Sequence, residues 1–301
     1  MRLEGVFAPL TTPFAADGTV AIDRLRENVS RYNRTRLAGF VAMGSTGEAV
    51  LLSRDEVERV WVTVRETAGA NKILIAGTGA ESTAETIERT ARAASIGYQA
   101  ALVKPPYYYK PILTAQVLIE HFERVADAAR IPLLLYSVPQ FTGVAFEAPL
   151  VARLAEHPNI IGIKESSGNV QRIGEIVQSA PRTFQTLVGS AATIHPSVAV
   201  GACGCILALA CVLPDLCIEL FELARAGDVR RALSLQQNLI PVSKKIVSEG
   251  GAPGVKYAMD LLGYSGGAPR RPLLPPAEAY KKEIEGVLSV LKGIPAGSAH
   301  G

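Results

Sequence analysis

The sequence predicts a closed, parallel (β/α)8 barrel of the TIM type, followed by a C-terminal helical appendage. Three observations carry this: short apolar runs alternate with helical patterns at nearly uniform spacing, eight such runs fall within residues 1–226, and only helical patterns follow Gly227. Strands are expected at 6–10, 39–43, 73–76, 101–104, 132–137, 160–164, 183–188 and 204–209, each an aliphatic run bounded by turn residues. Between them, Val57, Val60, Trp61 and Val64 recur with helical spacing behind the capping box Ser53/Glu56, and Ser82/Glu85 repeats the device ahead of Ile87. Leu118, Phe122, Val125 and Ala129 form another apolar helical face. The rival is an open, doubly wound dinucleotide-binding sheet. Against it, the turn Thr11-Thr12-Pro13-Phe14 after the first strand carries no glycine fingerprint, and no acidic ribose partner follows at the needed distance.

Helices are expected at 228–247, 254–262 and 277–291, separated by Gly250-Gly251-Ala252-Pro253 and by a loop over 266–276. The small, polar stretch 293–298 reads as a frayed tail. Two regions result: a barrel over 1–226 that carries the site, and a helical region over 227–301.

The chain has 301 residues, 48% hydrophobic and 20% charged, enough for a sizeable core. A net charge of only +3 with interspersed signs leaves no electrostatic footprint for nucleic acid or a membrane surface, so the expected partner is a small molecule. The opening Met1-Arg2-Leu3-Glu4 is not a secretory signal and no apolar stretch is long enough to span a bilayer, which places the chain in the cytoplasm as an expectation. Cys203, Cys205, Cys211 and Cys217 lack paired C-x-x-C spacing and have no histidine among them. They read as reduced, buried, small hydrophobes with no metal site. His121, His157, His195 and His300 are scattered without metal-ligand spacing.

In such a barrel, chemistry belongs at the C-terminal ends of the strands. Strand six ends in Lys164, a single cation closing the apolar run Ile160-Ile161-Gly162-Ile163 and followed by Glu165-Ser166-Ser167-Gly168. An amine there can attack a carbonyl if it is uncharged, and apolar Ile161 and Ile163 beside it disfavour the ammonium. A strand-end lysine also occurs as a stem that snorkels to solvent. After strand two, Gly44-Ser45-Thr46-Gly47-Glu48 offers backbone N–H groups and two hydroxyls that can converge on a carboxylate, or merely turns the chain. Tyr107-Tyr108-Tyr109 follow strand four, where phenols serve packing more often than acid catalysis, and Tyr136-Ser137-Val138-Pro139 ends strand five with a phenol at the rim.

Together these segments resemble the dihydrodipicolinate synthase/N-acetylneuraminate lyase family of pyruvate-handling class I aldolases. The resemblance runs from Thr11-Thr12-Pro13-Phe14 into the helical appendage. It implies that Lys164 is the Schiff-base nucleophile and that Tyr136 is the acid/base. A phenol titrates far above neutrality, so it needs a hydrogen-bonded relay, which the resemblance supplies through Thr46 and through Tyr108 reaching into a neighbouring subunit's site. Ser45 and Thr46 resemble the clamp on the pyruvate carboxylate, Ile206 resembles a carbonyl facing the site, and no cofactor is implied because the imine is the electron sink. A homo-oligomer, a tetramer built from dimers, is likewise implied.

Departures from family patterns bear on the second substrate. Dihydrodipicolinate synthases carry an arginine two residues after Tyr-x-x-Pro, where this chain has Phe141, which cannot make a bidentate link to a carboxylate. Sialic acid lyases place acidic residues after strand seven, where this chain has Gly189-Ser190-Ala191-Ala192. The motifs therefore resemble most the 4-hydroxy-2-oxoglutarate aldolase branch, in which Ser166 resembles a contact to the distal carboxylate. Retro-aldol cleavage of 4-hydroxy-2-oxoglutarate to pyruvate and glyoxylate is the expected reaction. Condensation of pyruvate with aspartate semialdehyde, sugar-acid dehydration and non-catalytic binding of a 2-oxo acid are the alternatives.

Overall fold

In a computed structural model that describes residues 1–291, eight parallel strands form a closed barrel in sequence order. They are β1 (Gly5–Pro9), β2 (Gly39–Ala42), β3 (Ile73–Gly77), β4 (Ala100–Val103), β5 (Leu133–Ser137), β6 (Ile160–Glu165), β7 (Gln185–Val188) and β8 (Gly204–Ile206). Strand β8 pairs with β1 through Val6↔Cys205 and Phe7↔Ile206, so the described sheet has no free edge. Around it lie α1 (Ile22–Tyr32), α2 (Arg54–Thr67), α3 (Thr83–Ile96), α4 (Ala115–Ala128), the short α5 (Pro139–Thr142), α6 (Ala148–Leu154), α7 (Val170–Ser179), α8 (Ile194–Ala199) and α9 (Pro214–Ala226). Helices α10 (Val229–Ser243), α11 (Gly251–Leu261) and α12 (Glu278–Leu291) complete the described chain.

All eight expected strands form, with three informative shifts. Strand β8 stops at Ile206 because the backbone coils into a 3-10 turn over Ala208–Cys211. Strand β7 starts at Gln185, since the Phe184 N–H turns back to the Pro181 carbonyl at 2.8 Å. Strand β4 ends at Val103, which leaves Lys104 just past it. Of the two capping boxes, Ser53 and Glu56 close both bonds, at 3.3 and 2.9 Å. Ser82 accepts from the Glu85 N–H at 3.1 Å, but the Glu85 carboxylate turns instead to Arg89 at 2.7 Å, so that box is half formed.

The expected helix over 228–247 is broken. Pro241 lies inside α10 without an N–H for the ladder, and the backbone widens into a π-helical turn over Lys244–Glu249 before α11 begins. Stretch 293–298 lies outside the described residues.

Alternation along the strands divides the core in two. Phe7, Val41, Ile75, Leu102, Leu134, Tyr136, Leu187 and Ile206 fill the barrel interior. Phe40, Ala76, Val103, Leu135, Ile163 and Val188 face the helices. Register locks the layers: Leu102↔Leu134, then Tyr136↔Lys164, then Lys164↔Leu187.

The helices after Gly227 pack on the barrel mouth through charge as well as through apolar surface. Lys256 of α11 is fully buried and forms an ion pair with the equally buried Glu48, while its ammonium also donates to the Ala268 carbonyl at 3.0 Å. The Arg270 N–H donates to Glu48 Oε2 at 2.8 Å, and its guanidinium grips both oxygens of Glu56 at 2.7 and 2.6 Å, holding that carboxyl down at about 2. Both cations lie 4.3 Å over the Phe14 ring.

A buried pair of this kind stabilises little relative to an apolar pair, but stripping one partner leaves an uncompensated charge. Urea unfolding of Lys256→Met is expected to show a loss of about 3–5 kcal/mol. The double variant with Glu48→Gln, in which neither charge remains, should recover part of it. Parental stability in the single variant would contradict the clamp.

Candidate active site

A cavity of about 1030 Å³ opens at the C-terminal ends of the strands. Lys164, the last residue but one of β6, lies at its floor, 5% exposed, with its Nζ 4.4 Å from the centre of the Tyr136 ring. The two residues are register partners on adjacent strands and share the inward face. Period two explains the placement: Ile163 points to the helices, so the apolar neighbours of the amine are Tyr136 and the in-register Leu187. The lysine does not snorkel.

Above them, Ser45–Gly47 form a 3-10 turn between two non-glycine residues with positive φ, Met43 at 64° and Glu48 at 57°. Such backbone is strained, and it persists because the surroundings hold it. The Thr12 hydroxyl donates to the Gly47 carbonyl at 2.7 Å, and the Glu48 side chain is tied to Lys256 and Arg270. The turn brings Ser45 Oγ within 3.2 Å of the Tyr136 hydroxyl. Ser45, not Thr46, is therefore the hydroxyl that meets Tyr136, which reverses the relay expected from the sequence. Both line the cavity, Thr46 from the next position of the turn.

The remaining expected residues divide. Ser166 lines the cavity, 9% exposed, and its buried hydroxyl has no hydrogen-bond partner among the described residues. Gly189 lines it too; a Cβ there would stand 2.0 Å from Ser166 Oγ, so glycine is what admits the serine. Phe141, 65% exposed, lies at the wall after α5 begins. Ile206 does not line the cavity: it is buried in the barrel interior, and Ala208 and Leu209 form the wall there. Tyr108 is 74% exposed, packed edge-on against Tyr109 at 5.0 Å, and within this chain it does not reach Tyr136; Tyr107 lines the cavity instead.

Sequence reasoning passed over three contributors. Glu165, outward on β6, is fully buried, and burial raises its carboxyl above the ordinary value. It accepts from the Ser167 N–H at 3.0 Å and from the Ser137 hydroxyl at 3.3 Å, tying the turn after Lys164 to β5. Lys104 also lines the cavity. The segment around the π-helical turn, including Ser243, Ser248, Gly251 and Ala252, supplies the far wall, so the helical region completes the cavity that the barrel begins. A strand-end lysine was a readable signal for Lys104; nothing local in sequence marks the other two.

The geometry sets a buried amine beside a phenol, with a hydroxyl-bearing turn opposite. The Dihydrodipicolinate synthetase family model matches residues 2–291. A 4-hydroxy-tetrahydrodipicolinate synthase of an Exiguobacterium species is 38% identical over 90% of this chain and 92% of its own length. The Methanopyrus kandleri enzyme of the same name is 36% identical over 98% of this chain and 99% of its own. A crystal structure of the chloride-inhibited dihydrodipicolinate synthase from Acinetobacter baumannii, complexed with pyruvate, superposes with a TM-score of 0.92. It is 32% identical and covers 97% of this chain and 100% of its own.

The cysteines lie apart from this chemistry. Burial pushes the Cys203 thiol up to about 11 and the Cys211 thiol up to about 12, and raises Cys205 and Cys217 as well. Because the thiolate is the reacting form, labelling by an aromatic disulfide at about pH 8 is expected to be slow for all four in the folded protein and rapid once denaturant is added. Prompt reaction of Cys205 or Cys211 without denaturant would contradict their burial.

Proposed function

The chain belongs to the dihydrodipicolinate synthetase family and is a carbon–carbon lyase of that family; from this we propose that Lys164 captures pyruvate as an imine and that the second substrate is aspartate semialdehyde. The observation that carries the first half is the Lys164–Tyr136–Ser45 arrangement: amine over phenol at 4.4 Å, phenol to serine at 3.2 Å. The second half rests on whole-length relatives named as 4-hydroxy-tetrahydrodipicolinate synthases, which outweigh the resemblance to the 4-hydroxy-2-oxoglutarate aldolase branch.

The Lys164 nitrogen attacks C2 of pyruvate, and water leaves as the imine forms. The Ser45-Thr46 turn holds the carboxylate and fixes C2 against the amine. Tyr136, left as a phenolate once it has protonated the departing hydroxyl, takes up a C3 proton through Ser45; the C3–imine carbon system becomes an enamine, and C3 attacks the aldehyde carbon of the acceptor. Tyr136, relayed through Ser45, delivers the proton that the new C4 alkoxide takes up. Hydrolysis of the imine returns the amine. Run backwards, the same steps cleave a 4-hydroxy-2-oxo acid. Tyr108, exposed here, serves in this reading as a relay contributed to the site of another subunit in a homo-oligomer.

One observation favours a second reading. Phe141 stands where the synthases' arginine resembles a carboxylate anchor, and its ring is apolar and exposed at the cavity wall. That keeps retro-aldol cleavage of 4-hydroxy-2-oxoglutarate in view, with the Ser166 hydroxyl toward the distal carboxylate.

Borohydride added with pyruvate is expected to leave a reduced adduct on the Lys164 peptide, and an unmodified protein would contradict the imine. Tyr136→Phe should still be trapped but lose about 10²–10⁴-fold in kcat, the contribution of a positioned acid/base. An acceptor panel decides the second half: turnover with pyruvate and aspartate semialdehyde supports the synthase reading, whereas cleavage of 4-hydroxy-2-oxoglutarate without semialdehyde turnover replaces it.

A further inference from the structure

We propose that Lys104 is the cation that receives the carboxylate of the acceptor substrate, a role for which Phe141 supplies no charge. The proposal rests on the pyruvate-imine reading above and deepens it.

Register places Lys104 at the site. The pairs Leu102↔Leu134 and Val103↔Leu135 put Lys104 next to Tyr136, and Tyr136 is itself in register with Lys164. Leu102, Leu134 and Tyr136 all belong to the barrel interior, so Lys104 continues the inward parity of β4. Adjacent strands lie about 4.8 Å apart, which sets the backbones at 104 and 164 about 10 Å apart across the phenol. Gly79 makes room: a Cβ there would stand 2.8 Å from Lys104 Cγ and 2.6 Å from its backbone nitrogen.

Chemistry points the same way. Lys104 and Lys164 are the two cationic side chains lining the cavity among the described residues, and Lys164 is committed to the imine. An ammonium has three donors, and that of Lys104 uses one, to Glu81 Oε1 at 3.2 Å. The other Glu81 oxygen is taken by the Tyr107 and Tyr108 N–H groups, at 2.9 Å each, which fixes the carboxylate and so aims the lysine stem. The Tyr107 ring, 4.4 Å from the ammonium, covers another side. Burial lowers the lysine's affinity for its proton against the opposing pull of Glu81, so the charge stands in a desolvated place where an anion is bound more strongly.

A purely structural role, in which the Glu81 pair only pins the loop after β4, predicts a different outcome. The test compares Lys104→Met and Lys104→Arg with the parent, using pyruvate and two acceptor classes: carboxylate-bearing (aspartate semialdehyde, glyoxylate) and neutral (acetaldehyde). The expected result for Lys104→Met is a rise in KM for the anionic acceptors of about tenfold or more, the scale of one charge-assisted hydrogen bond, so that the anionic-to-neutral ratio of kcat/KM falls by the same factor. Lys104→Arg should restore most of that ratio. Borohydride trapping with pyruvate should saturate at the parental concentration in every variant. An unchanged ratio, or a loss shared equally by both acceptor classes, overturns the proposal. A shift in the pyruvate concentration needed for trapping also overturns it, by assigning Lys104 to the donor carboxylate. Absence of trapping in the parent protein defeats instead the imine reading on which the proposal rests.

Discussion

Everything at the mouth of this barrel depends on a constraint of pleated, parallel strands closed at fixed register: successive side chains must alternate between interior and helix layer. Closure through the β1–β8 pairs removes the freedom to slip, and a slip of one residue would send Lys164 into the helices and bring Ile163 inside. Under that constraint Lys104, Tyr136 and Lys164 occupy one layer on three consecutive strands, above an interior of Leu102 and Leu134 and with Leu187 in register beside Lys164. The apolar layer beneath excludes water from the floor and leaves the polar ends facing the cavity.

The opposite wall is set by different physics. The Ser45-Thr46 turn carries two strained non-glycine residues, and it is the helical region, through Lys256 and Arg270, that holds Glu48 in place. This couples parts of the chain more than two hundred residues apart: the helices after Gly227 both fix the turn that contacts Tyr136 and furnish the small-residue wall around Gly251. The helical region thus lines the cavity and, through Glu48, braces the turn that carries Ser45.

How much of this was legible in the sequence follows from the range of each interaction. Apolar runs and helical periodicity are local, so all eight strands and the order of helices were readable, and the motif resemblance picked out Lys164, Tyr136 and the strand-two turn. Strand eight was overread because Leu207 and Leu209 are apolar whether the backbone is extended or coiled in a 3-10 turn. The exchange of Ser45 for Thr46 as the partner of Tyr136 came from adjacent hydroxyls on one turn, which spacing cannot rank. The Glu48–Lys256 pair joins positions far apart in sequence and has no local signature. Lys104 was missed although it ends its apolar run as Lys164 does; only the register reveals that both point inward.

The central claim is geometric: the Lys164 amine faces Tyr136 inside the barrel, where it can bond to C2 of a 2-oxo acid whose carboxylate sits on the Ser45-Thr46 turn. A crystal structure of the protein soaked with pyruvate measures this directly. Continuous density from Lys164 Nζ to C2, with the carboxylate against Ser45 and Thr46 and the Tyr136 hydroxyl alongside, is the predicted result. Pyruvate bound elsewhere, or density at Lys164 that ends at the free amine while pyruvate occupies the cavity, would contradict it.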